Sequence, residues 1–584
     1  MPEPLIVDEA IRNGLVAGTE RMTAWADLLD GINVFPVADG DTGRNLVASL
    51  SPLRRMAGGP QETARRLLMG ARGNSGNIAA RFLSEFIRMN GKGDLFPAAR
   101  NGRDAARQAV KDPQPGTMLT LFDALADILE KEASERRLSA TAVIDHLAET
   151  VLKTTALLPA LESAEVVDAG ALGMFLLFEG FFESLVGDEW LFTPLNRRFP
   201  NRLQISPDYQ ARSATGHCVN ARLRLDDRAA ADTDESIAAL GDSVVVTPDR
   251  EYIQVHFHTS DRTAARSQME TLGRLTDWSE EAFTDDAVSA SLNPAAGPIH
   301  LMTDAAGSLT RWNARRLGIT LLDSYLLVGD KNLPETHFSP ESVYAAMRQG
   351  VPVSTSQASI FERSQHYQSV LDRHNRVLYL CVGSVYTGNY EAVVSWKAKN
   401  DPQNRLSVLD TGAASGRLAA MVLATTEYAQ QTDDPEAVIR FAKTIIPHCE
   451  EYLFLDRLHY LAAGGRLSKT GAFFGDMLHL KPVITPTAQG AKKVGMVRDR
   501  KAQLEFALDK LEQALRDGPP ALVLLEYSDN REWVETEVRE SIGRHCPGSE
   551  IRIIPLSLTS GAHMGPGTWG MAFCREPHPE TGLV

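Results

Sequence analysis

Residues 33–45 read Asn33-Val-Phe-Pro-Val-Ala-Asp39-Gly-Asp41-Thr-Gly-Arg-Asn45, and this run is the most informative in the chain. Two carboxylates flanking one glycine repel one another, an arrangement that is costly unless a cation lies between them. Mg²⁺ suits such a place, because it prefers oxygen and takes one or two carboxylates while leaving other positions to water and phosphate. Gly40 and Gly43 remove Cβ atoms, so backbone N–H groups can approach phosphate oxygens. Asp-Gly pairs also form ordinary surface turns, so the surrounding chain has to decide.

Around this run, residues from Val7 to about Leu191 show apolar positions at three- and four-residue spacing, as in Leu119–Leu129 and Ala142–Leu157, which predicts helices. Three further glycine loops interrupt them. Gly70-Ala-Arg-Gly-Asn-Ser-Gly76 precedes a helical stretch, where small residues leave free N–H groups for an anion; Asn74 or Ser75 would equally serve as a helix cap. Pro113-Gln-Pro-Gly-Thr-Met118 ends one helix and starts another. Val167-Asp-Ala-Gly-Ala-Leu-Gly173 offers a carboxylate, Asp168, for a ribose hydroxyl or a helix cap. Polar loops joining amphipathic helices point to a site at one end of a bundle. No Walker sequence is present.

Together and in this order, the four loops resemble the nucleotide-binding domain of the DhaL type, shared by dihydroxyacetone kinases and the ATP-binding component of bacterial fatty acid kinase. The resemblance covers about the first 195 residues. It implies an all-α helical barrel whose end loops hold ATP or ADP with Mg²⁺. By matching positions, Asn33, Asp39 and Asp41 would hold the metal. Thr42, Gly43, Arg44, Asn45, Asn74, Ser75 and Gly76 would surround the phosphates. Thr117 and Met118 would lie near the adenine, and Asp168 and Gly170 near the nucleoside. Val34 stands near the position where dihydroxyacetone kinases carry a third acidic ligand, and Ala38 and Arg44 replace an expected proline and threonine.

From about Gln204 to Leu292 the texture changes. Val219–Leu225 and Tyr252–His258 alternate, Val244–Thr247 is β-branched, and Arg262–Leu272 reads as a helix, a small α+β module. His256 and His258 stand at i and i+2, on one face of a strand, and Cys218 lies on another. Cysteine and two histidines form a plausible Zn²⁺ set; two strand histidines and an unrelated cysteine are the plainer reading. The order Gly-His-Cys218 and Val-His256-Phe-His258 resembles the middle domain of the same fatty acid kinase component, which implies zinc in a structural or positional role, with His217 as a spare ligand.

From Pro298 onward, β-rich runs (Ile299–Met302, Val377–Val382, Leu406–Leu409, Ala521–Glu526, Ile551–Ile554) alternate with helical ones (Arg311–Arg316, Ser342–Arg348, Arg417–Ala429, Asp434–Ile446, Lys501–Arg516). This predicts an α/β domain with a largely parallel sheet. Thr355-Ser-Gln-Ala-Ser359, Ser384-Val-Tyr-Thr387, Gly464-Gly-Arg-Leu-Ser468 and His563-Met-Gly-Pro-Gly567 collect hydroxyls, an arginine and a histidine able to bind a carboxylate. A Ser-His hydrolase is disfavoured, since no Gly-x-Ser-x-Gly elbow follows a strand.

With Met302-Thr-Asp-Ala-Ala-Gly and Asp410-Thr-Gly412, these motifs resemble the DegV family, the fatty-acid-binding partner of fatty acid kinase, over about 298–578. The resemblance implies an apolar tunnel for one acyl chain. Thr355, Ser356, Ser384 and Arg466 would hold its carboxylate, with His563 beside it. Ser-Val-Tyr-Thr-Gly-Asn at 384–389 replaces the usual Ser-Gly-Leu-Ser-Gly-Thr, adding bulk at Val385 and Tyr386.

Length and composition agree with a multidomain chain. The 584 residues carry 43% hydrophobic and 23% charged residues, the balance of globular protein, and suggest about three domains. Their expected limits are 1–200, 201–295 and 296–584. A net charge of −15 argues against nucleic acid as a partner. No signal peptide and no membrane-spanning run of roughly 18 uninterrupted apolar residues stand out. Five scattered cysteines form no disulfide framework, so a cytoplasmic location is expected. A homodimer is also expected, as is transient contact with a membrane surface for lipid exchange.

The reading that follows is an ATP-dependent kinase phosphorylating a fatty acid carboxylate to an acyl phosphate. Asp39, Asp41, Arg466 and His563 would act in transfer, with ATP, Mg²⁺ and the fatty acid as ligands. A non-catalytic lipid-binding protein with an ATP-sensing domain is one alternative. The other is a dihydroxyacetone-type kinase for a small hydroxylated substrate.

Overall fold

The computed structural model describes residues 8–35, 38–56, 58–136, 138–186, 192–210, 216–225, 233–249, 252–282, 297–457, 460–461, 480–516 and 522–575. The chain divides into two units, Met1–Leu292 and Asn293–Val584.

The periodicity of the first part becomes helices α1 (Glu9–Ala24), α2 (Ala26–Gly31), α3 (Thr42–Leu50), α4 (Gly59–Gly70), α5 (Gly73–Phe86), α6 (Leu95–Ala109), α7 (Met118–Ser134), α8 (Ala140–Thr154), α9 (Pro159–Ala164), α10 (Ala169–Val186) and α11 (Leu195–Arg198). Side-chain caps start several of them. Asp8 accepts from Ala10 N at 2.9 Å, and Ser139 accepts from Ala142 N at 3.2 Å, each satisfying a donor that the helix leaves unpaired. Helix α10 is long and apolar enough to cross a membrane by length and composition, yet 83% of it is buried inside the domain. A helix apolar all round is what a bundle centre requires, and α1, α7 and α8 pack around it.

The second module is an antiparallel sheet in the order β2-β3-β1-β4, built from β1 (His217–Leu225), β2 (Asp242–Asp249), β3 (Tyr252–Thr259) and β4 (Gly273–Ala282). Val219, Ala221, Leu223, Val255 and Phe257 form its core with Ile237 of helix α12 (Thr233–Ala238) and Ala265 and Met269 of helix α13 (Arg262–Leu272). Strand β4 was not expected from the sequence. It is an edge strand, largely exposed, and so lacks the alternation that marks a half-buried strand. An isolated bridge between Val110 and Val245 joins the sheet to the end of α6.

In the second unit, the expected parallel sheet runs β11-β10-β5-β6, from β5 (His300–Asp304), β6 (Thr320–Leu322), β10 (Val377–Cys381) and β11 (Leu406–Asp410). Two other sheets extend the expectation. Strands β7 (Tyr325–Val328), β8 (Lys331–Pro334) and β9 (Val353–Ser356) form an antiparallel meander. Strands β12 (Cys449–Phe454), β13 (Lys481–Thr487), β14 (Gly490–Val497), β15 (Leu522–Tyr527), β16 (Glu550–Pro555) and β17 (Trp569–Cys574) form a sheet ordered β14-β13-β12-β17-β15-β16, parallel only at β15–β16. The buried helix Ser415–Ala429 contacts both the parallel and the six-stranded sheet.

A tight seam of the helical domain runs between α1 and α10. A Cβ at Gly18 would lie 2.2 Å from the carbonyl oxygen of Leu177, and one at Gly180 would lie 2.8 Å from Gly18 Cα. Beside this contact Arg21 Nε donates to Glu179 Oε2 at 2.8 Å, both residues being buried. Gly18→Ala forces the two backbones apart. It is expected to cost about 1–3 kcal/mol, seen as a thermal midpoint several degrees lower; an unchanged midpoint would show that the seam is not tight.

Candidate active site

The 33–45 loop is organised by a residue that the sequence did not single out. Asp30, buried at the end of α2, accepts from Gly43 N at 2.7 Å and Arg44 N at 3.1 Å with one carboxylate oxygen. A carboxylate at a helix N-terminus meets both its free donors and its dipole. Both amides are therefore taken by Asp30. Gly43 is required for another reason as well, since a Cβ there would lie 2.1 Å from Ala26 O. The Arg44 guanidinium lies 3.7 Å from Asp30, while remaining near enough to Asp39 and Asp41 to favour their charged forms.

Asp30 thereby leaves the other two aspartates uncommitted to the helix. Gly40 takes φ +62°, which turns Asp39 and Asp41 toward each other. Asn33 Nδ2 donates to Asp39 Oδ1 at 2.7 Å, and the Asn45 side chain hydrogen-bonds Asp41. Burial, followed by the charge of Asp41, holds the Asp39 carboxyl well above the usual carboxylate range; burial raises Asp41 too, against the pull of Arg44.

The start of α5 faces the same space. Its N-cap, Arg72, makes no side-chain cap, so the first amides of a 14-residue helix remain for an anion. Ser75 Oγ donates to Thr42 Oγ1 at 3.2 Å. Gly73 sits at φ +60°, where a Cβ would strike Asn45 Nδ2. Gly76 plays a packing part instead of lining the cleft, because a Cβ there would lie 2.0 Å from Ser49 Oγ of α3.

The middle sheet closes this space from the other side. Cys218 is the direct cross-strand partner of His258, and Asn220 that of His256. The ligand-type atoms of Cys218, His256 and His258 all lie within 4.8 Å of one another. His256 Nδ1 faces Asn220 Oδ1 at 3.1 Å and Cys218 Sγ at 3.9 Å. Its Nε2 is buried with no hydrogen-bond partner. Burial, then His258, pulls His256 well below its usual range, and burial lowers His258 to about 4. Burial, then Asp41 and Asp39, raises the Cys218 thiol. His217, one residue away in the strand, points to the opposite face.

The two sites expected separately are therefore one cleft. It is lined by Asn33, Phe35, Asp39, Asp41, Thr42, Asn45, Gly73, Asn74 and Ser75 together with Cys218, His256 and His258. Thr117, Met118, Asp168 and Gly170 do not line it. They gather at the starts of α7 and α10, where a Cβ on Gly170 would lie 2.7 Å from Met118 Cε. Thr117 accepts from Leu119 N at 3.4 Å, and Asp168 Oδ1 accepts from Ala171 N at 2.7 Å, so both cap helices.

In the second unit, Thr355 Oγ1 and His563 Nε2 meet at 3.2 Å, because the helix Leu558–Met564 packs on β9. Ser356 follows on β9 and is exposed. Ser384 is committed elsewhere: its Oγ donates to Asp410 Oδ2 at 2.6 Å and its N–H to Asp410 Oδ1 at 3.0 Å. Arg466 lies outside the described residues.

Residues 36–183 match the model of the DAK2 domain, 214–289 that of the FakA-like middle domain of fatty acid kinase, and 298–576 that of the DegV family. The chain joins these three domains in one polypeptide. Over 280 residues it is 30% identical to protein YloV of Bacillus subtilis (strain 168), covering 42% of this chain and 50% of that one. Over 275 residues it is 25% identical to the DegV domain-containing protein YteA of Lactococcus lactis subsp. lactis, covering 46% of this chain and 94% of that one. The chain spans about half the length of YloV and of the similar Staphylococcus saprophyticus protein SSP1546. Among solved structures, a fatty-acid-binding DegV family protein from Thermus thermophilus aligns with a TM-score of 0.43 and 25% identity, over 48% of this chain and 99% of that one. DegV of Bacillus subtilis, a fatty acid binding protein, aligns at 0.44 and 19%, over 48% and 100%.

One residue of the DAK2 domain allows a pH test. Burial pushes the Asp168 carboxyl up to about 7, above an unfolded value of about 3.9. The stability it contributes is therefore complete in acid and is lost as pH rises through about 7. Asp168→Asn keeps the acceptor for Ala171 N and is expected to flatten the decline of the thermal midpoint over that interval. A slope identical to wild type would mean that Asp168 titrates normally.

Proposed function

We propose that the chain transfers a phosphoryl group from ATP to the carboxylate of a fatty acid held by its DegV domain, giving an acyl phosphate and ADP. The observation that carries this reading is the convergence of Asp39 and Asp41 with Cys218, His256 and His258 in one cleft, in a chain that joins DAK2, fatty acid kinase-like and DegV domains.

The donor sets suit two kinds of metal. Two carboxylates in mutual contact with an asparagine amide beside them fit Mg²⁺. A thiol and two imidazoles, one with a buried and unpartnered Nε2, fit Zn²⁺. Asn33, Asp39 and Asp41 would hold the magnesium, and Cys218, His256 and His258 the zinc. When bound, magnesium would neutralise phosphate charge and polarise the oxygens in transfer, and zinc would fix the sheet beside it.

The protein's own groups do the rest. The cleft would receive the phosphate end of the nucleotide. The α5 amides and the Thr42, Asn45, Asn74 and Ser75 side chains would hold oxygens there, offsetting charge that develops in transfer. Met118, Asp168 and Gly170 would flank the nucleoside. Thr355 and His563 would hold the fatty acid carboxylate, joined by Arg466, and by Ser384 once it leaves Asp410. A carboxylate is already an anion, so no general base is needed.

Purified protein given Mg-ATP and a long-chain fatty acid is expected to yield hydroxamate on hydroxylamine trapping. Asp41→Ala should reduce the yield by roughly 100-fold or more. Fatty acid bound without turnover would instead favour a lipid-binding protein that senses ATP. Elemental analysis should find zinc in the wild type and much less in His256→Ala; equal zinc in both would remove that ion from the scheme.

A further inference from the structure

Strands send alternate residues to opposite faces. On the β1–β3 ribbon, one face enters the middle domain's own core through Val219, Ala221, Leu223, Val255 and Phe257. The other face carries three polar rungs: Cys218 opposite His258, Asn220 opposite His256, and Arg222 opposite Gln254. A face this polar would ordinarily be left to water, yet His256 is fully buried and Gln254 only 5% exposed.

The third rung is satisfied by backbone of the DAK2 domain. Arg222 Nη2 donates to the carbonyl of Met69 at 2.8 Å, and Gln254 Nε2 donates to that of Ala71 at 2.8 Å. Arg222 Nη2 also lies 3.5 Å from Gln254 Oε1, so the two side chains act together. Met69 belongs to the last turn of α4, where carbonyls lack helical partners and carry the negative end of the dipole. A guanidinium suits that position. Two residues past Ala71 the chain becomes Gly73-Asn74-Ser75 and lines the cleft.

From this geometry we infer that Arg222 and Gln254 are positioning residues: a two-point clamp on the 69–71 turn that holds the Cys218/His256/His258 face in register with Asp39 and Asp41. The main-chain bridge at Val110–Val245 attaches the sheet through a different strand. Without the clamp, β1 and β3 lose their hydrogen bonds to the 69–71 turn, and the cysteine and histidines shift relative to the aspartates. Neither residue lines the cleft; the clamp acts through the groups it aligns.

The inference rests on the proposed phosphoryl transfer for one of its readouts and is independent of it for the other. The other four cysteines are buried, so reaction of the EDTA-treated full chain with a thiol reagent reports on Cys218. Gln254→Glu preserves shape but sets a carboxylate against the Ala71 carbonyl, and Arg222→Ala removes the other contact. Both are expected to speed labelling roughly five-fold. They should lower kcat for acyl phosphate on the order of ten-fold or more, with Mg-ATP affinity held within about two-fold. Arg222→Lys, which can still reach one carbonyl, should recover much of the loss. Unchanged labelling in Gln254→Glu overturns the clamp, whether or not turnover falls. If the wild type makes no acyl phosphate, the proposed function fails while the labelling result still decides the clamp.

Discussion

The cross-strand register of β1 and β3 is the constraint on which the first unit depends. Cys218 meets His258 and Asn220 meets His256 because the intervening residues, Val219, Ala221 and Phe257, have to reach the core. A slip of one residue would exchange the two faces completely. Hydrophobic burial on one side of the sheet therefore enforces the geometry of a polar group on the other. That polar face is itself buried, and buried polar groups are tolerated only when partnered. The end of α4 and the turn after it supply partners for Arg222 and Gln254, which ties the sheet to the loops at that end of the bundle.

Electrostatics divides the three aspartates of the 30–41 stretch into two kinds. Asp30 spends its acceptors on the α3 amides and becomes structural. Asp39 and Asp41 have each other, two asparagines and nearby Arg44. Around them the thiol is pushed up and both imidazoles down, all by burial first. Every one of the pair and the triad is thus displaced toward its neutral form. A divalent cation would reverse that preference for the two carboxylates and the thiol, whereas the neutral imidazoles are already in the form that binds a metal. The cleft is consequently costly when bare.

The four loops of the DAK2 domain, the alternating strands of the middle domain and the parallel strands of the DegV domain were legible because each is written in local spacing. The helix at Arg262–Leu272 and the strand starting at Tyr252 begin where periodicity places them. Asp30 was not legible, since its partners lie 13 and 14 residues away. Gly76 and Gly43 looked like phosphate glycines, but close helix contacts also require their missing Cβ atoms. Ser384 looked like a free hydroxyl until Asp410, on the neighbouring strand β11, reached it. Strand β4 lacked a pattern because an exposed edge strand has little apolar burial to impose one.

The three domain types and the chemical identity of the candidate ligands follow from sequence, because loop wording and strand alternation depend on neighbours a few residues apart. So does the ability of Cys218, His256 and His258 to share one sheet face. Three further facts come from packing in three dimensions: this face covers Asp39 and Asp41, Asp30 takes the α3 amides, and Thr355 meets His563. Those contacts join residues up to 208 positions apart. They form only when separately folded surfaces bury against one another, and no local pattern encodes where such surfaces meet.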